Sequence, residues 1–253
     1  QDWIDTEFRS LWITATMLIV FGVGVVGVLV EAFAPRSTRH LAQVVLSVAT
    51  IVIAFVALVI TGDSAGVTVG GTVAVDDPTR FMQGALLLLG LLGLFVMADR
   101  LGGETADAFT PLGAASPGSN LEAQAARKGW STTEVFPLAL FALAGMLLFP
   151  AANDLLTMFV ALELLSLPLY LMSGLARRRR LLSQEAALKY FVLGAFASAF
   201  LLMGSALLYG VAGAVDYKTL GEAVRTVPGQ EWLILAGLML VIIGLLFKVA
   251  AVP

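Results

Sequence analysis

The stretch LLTMFVALELLSLPLYLMSGL, residues 155–175, decides the fold class of this chain. It is apolar on nearly every helical face, and it is as long as the ~20 residues that an α-helix needs to cross the hydrocarbon core of a bilayer. A helix on the surface of a soluble domain keeps one polar face, which this stretch lacks. The stretch therefore predicts a membrane-spanning helix, and Glu163 lies in its interior.

Outward from this stretch, the chain contains further apolar runs of similar length. The seven runs lie near residues 11–30, 41–60, 81–98, 133–151, 155–175, 184–211 and 232–253. Of the 253 residues, 59% are hydrophobic and 13% are charged, whereas soluble domains carry about 25% charged residues. We therefore predict an all-α polytopic membrane protein, a helical bundle with about seven transmembrane helices.

The composition also excludes several classes of function. The chain has no cysteine and a single histidine, His40, so it lacks the ligand sets of zinc, haem and iron–sulfur sites. The sequence shows no basic face, so it does not indicate a nucleic-acid-binding protein. Gly22, Gly24 and Gly27 form the G-x-G-x-x-G pattern of dinucleotide-binding proteins, but the pattern lies within an apolar run rather than after a strand. We interpret these glycines as small residues that let membrane helices pack closely.

Lysine and arginine are distributed unevenly over the predicted loops. One set of loops carries Arg36, Arg39, Arg100, Arg127, Lys128 and the arginine run 177–180, whereas the opposite set carries Arg9, Arg80, Lys218 and Arg225. Cytoplasmic loops are richer in Lys and Arg, so we expect the N-terminus to lie outside. An anionic-lipid or nucleic-acid patch is the alternative interpretation of run 177–180.

Two loops are long enough to have features of their own. The sequence GVTVGGTVAVD at residues 66–76 alternates around two glycines, which predicts a small β-hairpin outside the membrane. Residues 99–131 are rich in Gly, Ala, Ser and Pro, which indicates a flexible cytoplasmic linker. Neither loop offers a constellation for catalysis.

Three charged residues fall inside the apolar runs: Glu163, Lys189 and Lys248. A charge at the centre of a bilayer costs roughly 2.5–3.5 kcal/mol on the insertion scale, and such residues commonly mark ion or proton paths. The alternative for Lys189 is a local pair with Glu185, four residues before it, or snorkelling to the surface. Pro253 removes the helical hydrogen bond to residue 249, which predicts a broken helix beside Lys248.

These residues lie in stretches that resemble a known family. Residues 145–174 (GMLLFPAANDLLTMFVALELLSLPLYLMSG) resemble the fifth-helix region of subunit N of respiratory complex I, the NADH:quinone oxidoreductase. Residues 183–198 (SQEAALKYFVLGAFAS) resemble its sixth helix, and LLFKVAAVP at 245–253 resembles the break in its seventh. The strings ELLSLPLY and EAALKYFVLGA favour this family over its antiporter-like sister subunits and the Mrp-type cation antiporters.

The resemblance implies an antiporter-like helical bundle and a role for each buried charge. Glu163 and Lys248 would be the acid–lysine pair of a first half-channel, and Lys189 would supply protons from the cytoplasmic side. Residues 1–98 would hold the first three helices and the outer hairpin, 99–131 the linker, and 132–253 helices four to seven of the first half-channel repeat. The chain opens on Gln1 and stops within an apolar run, so we expect it to be the N-terminal part of a longer protein.

The resemblance also implies a setting for the chain. It would be a subunit of a bacterial plasma-membrane enzyme, in contact with the lipid bilayer and with other membrane-arm and peripheral-arm subunits. NADH, FMN, iron–sulfur clusters and quinone would bind elsewhere in the complex, with no cofactor, metal or redox site in this chain. Two alternatives stay open from the residues: a subunit of an Mrp-type Na⁺/H⁺ antiporter, and a structural membrane scaffold whose buried charges lock helix packing.

Overall fold

The computed structural model describes residues 2–62, 65–98, 109, 115–116, 118–128, 133–176, 180–226, 229–249 and 251. Helices dominate this part of the chain. The α-helices are α1 (Asp2–Phe33), α2 (Arg36–Ile60), α3 (Asp77–Ala98), α4 (Asn120–Arg127), α5 (Val135–Leu148), α6 (Leu155–Gly174), α7 (Arg180–Ala212), α8 (Tyr217–Thr226) and α9 (Glu231–Lys248). Two short strands, β1 (Gly66–Thr68) and β2 (Val73–Val75), lie between α2 and α3.

The long helices confirm a multi-pass membrane protein. Within the described residues, six are long and apolar enough to cross a membrane, in α1, α2, α3, α6, α7 and α9. Their outer faces expose large apolar side chains, such as Phe81 at 75% and Leu41 at 71%. Apolar surface on this scale is costly in water and is typical of helices that face lipid.

The fourth predicted span is shorter than the sequence indicated. In place of one helix over residues 133–151, α5 has 14 residues and is followed by a 3₁₀ turn at Phe149–Ala151. Pro150 has no N–H to continue the α-helical ladder, so the last turn tightens. At ~1.5 Å per residue, α5 spans roughly 21 Å, less than the ~30 Å of a bilayer core. The Leu147 carbonyl near its end accepts a hydrogen bond of 3.0 Å from the buried Gln83 amide.

The buried apolar side chains form two cores. The first joins α1, α2, α3 and α5 around residues such as Val20, Ile51 and Leu140. The second joins α6, α7, α8 and α9 around residues such as Leu162 and Leu201. Helix α5 follows the linker in sequence, yet it is the centre of the first core. Helix α5 also packs closely on α6, so the two cores are in contact along this pair of helices.

Glycines allow helices to pack closely, both within the first core and where the two cores meet. A Cβ at Gly145 of α5 would overlap the backbone of Leu165 in α6, so only glycine fits this crossing. Gly24 and Gly27 of α1 lie against Phe141 and Pro137 of α5. Two of the three glycines of the G-x-G-x-x-G pattern thus serve helix packing, as the sequence indicated, whereas a Cβ at Gly22 would meet nothing within 4 Å.

The predicted hairpin is present and links the two cores on one side of the bundle. Strands β1 and β2 pair antiparallel, and Gly70 and Gly71 adopt positive φ in the turn between them. Asn153, between α5 and α6, donates its side-chain amide to the Gly71 carbonyl at 2.8 Å. Its own carbonyl accepts from the backbone N–H of Tyr217 at 3.4 Å.

The predicted linker lies partly outside the described residues. Its described part contains α4, in which Ala125 is buried. This part of residues 99–131 is thus helical, although Leu121 on the same helix is 63% exposed.

Candidate functional site

Glu163 is placed by α6, whose start is fixed by a side-chain cap. Asp154 precedes the helix and accepts hydrogen bonds from the backbone N–H of Thr157 at 2.8 Å and from its hydroxyl at 2.7 Å. Five residues beyond Glu163, Pro168 lies inside the helix and cannot donate to the carbonyl of Leu164. Glu163 therefore lies one turn before a discontinuity in the hydrogen-bond ladder of α6.

Lys248 is the last residue of α9, as the predicted break indicated. Beyond it, the backbone N–H of Val249 reaches the Leu245 carbonyl at 3.1 Å, and the N–H of Ala251 reaches the Leu246 carbonyl at 2.9 Å. Pro253, to which the sequence attributes the break, lies outside the described residues. The helix end leaves the Lys248 side chain projecting from the terminus of α9 toward α6.

The two charges meet inside the bundle. The ammonium Nζ of Lys248 lies 3.3 Å from Oε1 of Glu163, and their side chains are 13% and 23% exposed. No basic residue lies within four positions of Glu163 on α6, and no acidic residue lies within four positions of Lys248. The pair is therefore created by tertiary packing, and it lies among apolar helices where two separated charges would be costly.

Hydroxyl groups surround this pair. The Lys248 ammonium donates to Ser166 Oγ at 3.0 Å and to Tyr170 Oη at 3.4 Å, both on α6. Ser198 of α7 donates its hydroxyl to Oε1 of Glu163. The site thus contains one carboxylate, one amine and three hydroxyls, which form one hydrogen-bonded cluster.

The close packing of α7 against α9 brings these groups together. A Cβ at Gly204 of α7 would lie 2.6 Å from the carbonyl oxygen of Gly237 in α9. Two turns further along α9, a Cβ at Gly244 would lie 2.9 Å from the carbonyl oxygen of Ala197. Backbones that approach this closely require small residues. Ser198 is next to Ala197 on α7, and Lys248 lies about one turn after Gly244 on α9, so both are placed by this crossing.

Lys189 does not join the acid–lysine pair. Its ammonium lies 2.5 Å from Oε1 of Glu185, four residues earlier, and its side chain is 68% exposed. Ser198 is nine residues after Lys189 on α7, which corresponds to half a turn of rotation and roughly 13 Å along an α-helix. The described contacts of Lys189 are those of the local pair.

Sequence reasoning missed the three hydroxyls. Glu163, Ser166 and Tyr170 have the spacing i, i+3, i+7, which puts them on one face of a helix, so two of them could have been found. Ser198 carries no such signal, because its role depends on how α7 lies against α6.

A second polar cluster was also missed. Glu31, near the end of α1, accepts hydrogen bonds from Arg39 at 3.0 Å, Gln43 at 3.3 Å and Thr133 at 2.6 Å. Its acidic side chain lies close to a loop, so the sequence reading counted it as a helix-end charge. Burial raises the pKa of the neighbouring Glu134, and the charge of Glu31 raises it further, while Arg39 opposes the rise.

The bundle of long apolar helices fits an antiporter-like helical membrane protein, and it contains a buried acid–lysine pair. A sequence model of the family "NADH:quinone oxidoreductase/Mrp antiporter, TM" matches residues 152–253, the part of the chain that contains the pair. Over these residues the chain is similar to this family, and relatives named NADH-quinone oxidoreductase subunit N match nearly the whole chain.

Two relatives and one solved structure show this similarity. The chain is 51% identical to NADH-quinone oxidoreductase subunit N of a Nocardioides species, over 98% of this chain and 48% of that protein. It is 52% identical to the subunit N of Rhodococcus opacus, over 98% of this chain and 49% of the relative. The fold resembles a chain of respiratory complex I from Thermus thermophilus with bound aureothin, at 29% identity and a TM-score of 0.66 over 92% of this chain and 43% of that one. The chain thus spans about half the length of the curated relatives that it matches.

Proposed function

We propose that this chain forms part of a proton-translocating membrane subunit of an NADH:quinone oxidoreductase. The observation that carries the proposal is the buried pair of Glu163 and Lys248, 3.3 Å apart and bordered by hydroxyls. Two unit charges ~4 Å apart attract by about 4 kcal/mol at an effective dielectric constant of ~20. Making or breaking such a contact is enough to change which group holds a proton.

The proposed cycle uses this coupling. While the pair is closed, the carboxylate of Glu163 stabilises the protonated amine of Lys248. When a charge change in a neighbouring subunit draws Glu163 away, the amine loses this stabilisation and releases its proton into the path. Closing the pair again favours uptake of the next proton. Lys189 is proposed to supply protons from the cytoplasmic side, supported by its place early in α7, close in sequence to the arginine run 177–180.

The proposal places the remaining chemistry outside this chain. NADH, FMN, iron–sulfur clusters and quinone would act in other subunits of a multi-subunit complex, and the names of the relatives support this. The Lys and Arg distribution supports an N-terminus outside the bacterial plasma membrane. The same relatives disfavour the Na⁺/H⁺ antiporter alternative.

The test is proton pumping relative to NADH oxidation in membrane vesicles that carry Lys248→Met in the full-length subunit of the intact complex. The proposal requires that pumping per NADH falls while the complex still assembles. Lys218→Met, an exposed lysine on α8, is the matched control and should pump as the unaltered complex does. Normal pumping by an assembled Lys248→Met complex would make the pair structural, and pumping that needs sodium would favour the antiporter alternative.

A further inference from the structure

Tyr170 is the third group at the acid–lysine pair that has a titratable proton. It lies on α6, seven residues after Glu163 and on the same helical face, and it is 5% exposed. Its Oη is 3.4 Å from the Lys248 ammonium, and the ammonium lies 6.0 Å from the centre of its ring. Lys248 is therefore held between the carboxylate on one side and the phenol on the other.

Helix α7 leaves space for the Tyr170 hydroxyl because it has a glycine at the point of contact. Gly194 of α7 faces it so closely that a Cβ there would overlap the oxygen. The rings of Tyr190 and Phe191 meet the Tyr170 ring edge-on, with centroids 4.5 Å and 5.9 Å away. Edge-to-face contacts of this kind fix the ring plane. The hydroxyl therefore has one preferred position, directed at Lys248.

The position of Tyr170 also relates the pair to Lys189. Lys189 precedes Tyr190 directly in sequence, and Tyr190 packs on Tyr170. From Glu163, the order Glu163, Ser166, Tyr170 proceeds along α6 toward its end at Gly174, and α7 with Lys189 follows this end in sequence. Tyr170 is thus the described hydroxyl that contacts Lys248 from the side on which Lys189 lies.

We propose that Tyr170 relays protons to Lys248 from the cytoplasmic side. When Lys248 is a neutral amine, the Tyr170 O–H bond breaks as an N–H bond forms on Nζ, and a hydronium ion on the other side of the phenol restores the O–H bond. The tyrosine is unchanged after each transfer, and one proton has moved. The relay depends on the proposed function, because it supplies the same lysine.

The test compares Tyr170→Phe with Tyr209→Phe in the full-length subunit of the intact complex. Tyr209 is an exposed tyrosine on the same helix as Gly194, so its variant loses the same hydroxyl away from the site. The relay requires that Tyr170→Phe lowers pumping per NADH by an order of magnitude or more, since a positioned proton-transfer group contributes about 10²–10⁴-fold in rate. Tyr209→Phe should leave pumping unchanged.

Two further variants separate a relay from a packing role. Tyr170→His, which retains a ring atom able to carry a proton, should restore part of the pumping. Gly194→Ala should reduce pumping as well, since its Cβ would displace the hydroxyl.

The outcomes distinguish this inference from the proposed function. Normal pumping by Tyr170→Phe, alongside lost pumping by Lys248→Met, would overturn the relay alone. Normal pumping by both variants would overturn both proposals. Equal loss in assembled Tyr170→Phe and Tyr170→His complexes, or failure of Tyr170→Phe to assemble, would show that Tyr170 serves packing and would also overturn the relay.

Discussion

The ammonium of Lys248 lies 3.3 Å from the carboxylate of Glu163, although 85 residues separate them in the chain. Their helices are joined through α7, which packs on both α6 and α9 and adds the hydroxyl of Ser198 to the carboxylate. The distance between the two charged groups therefore depends on the positions of all three helices. A small shift of any of them changes the charge environment of both groups.

The two charges should be energetically coupled. Lys248→Met leaves the Glu163 carboxylate without its cation, and breaking a buried pair from one side costs up to about 3–5 kcal/mol. The double variant Glu163→Gln/Lys248→Met should lose less than the sum of the single losses, by about 1–3 kcal/mol. Thermal unfolding of the full-length subunit in detergent measures this difference. Strictly additive losses would show that the two side chains do not interact in the folded protein.

The crossing of α7 and α9 should be intolerant of a single methyl group. In Gly204→Ala the new Cβ would lie 2.6 Å from the Gly237 carbonyl oxygen and 2.7 Å from the Val241 nitrogen, so the backbones must separate. We expect a loss of about 1–3 kcal/mol in unfolding free energy and weaker pumping. Gly210→Ala, on the same helix with nothing within 4 Å of the new Cβ, is the control. Equal behaviour of the two variants would contradict the packing described for this crossing.

Glu134 should make stability depend on pH. Burial, and then the charge of Glu31, raise the pKa of Glu134 in the folded protein, so the folded state holds this proton more tightly than the unfolded state. Its contribution to stability is therefore lost as pH rises from the ordinary pKa of glutamate through the raised pKa. Glu134→Gln should be more stable than the unaltered protein at neutral pH, and the advantage should vanish in acid. Melting temperatures at a series of pH values test this, and an advantage that does not change with pH would refute it.

The cap at the start of α6 should contribute to stability through its acceptor oxygens. Asp154→Ala removes the acceptors for the Thr157 N–H and hydroxyl, which should cost about 1 kcal/mol. Asp154→Asn keeps a side-chain carbonyl at the same place and should lose much less. Unfolding in detergent compares the two variants. A loss in Asp154→Asn as large as in Asp154→Ala would assign the effect to the charge of Asp154.

Several features of the molecule were readable from local sequence. The run 155–175 predicts its helix because nearly every side chain in it is apolar, and no tertiary contact is needed to see this. The alternation around Gly70 and Gly71 predicts the observed hairpin for a similar reason. The break of the helix beside Lys248 was likewise visible, because Pro253 follows it. The fourth span was overestimated because hydropathy measures the run of apolar residues and not the effect of Pro150 on the ladder.

The sequence by itself determined the fold class and the presence of Glu163 and Lys248 within apolar helices, because both follow from the order of side chains along one segment. Only the tertiary structure decided which groups meet. Helix register across α6, α7 and α9 depends on where glycines such as Gly204 and Gly244 let backbones approach. That register places Ser198 and Tyr170 at the pair and leaves Lys189 beside Glu185. The physical reason is that these contacts join residues far apart in the chain, and a local pattern carries no information about the distance between helices.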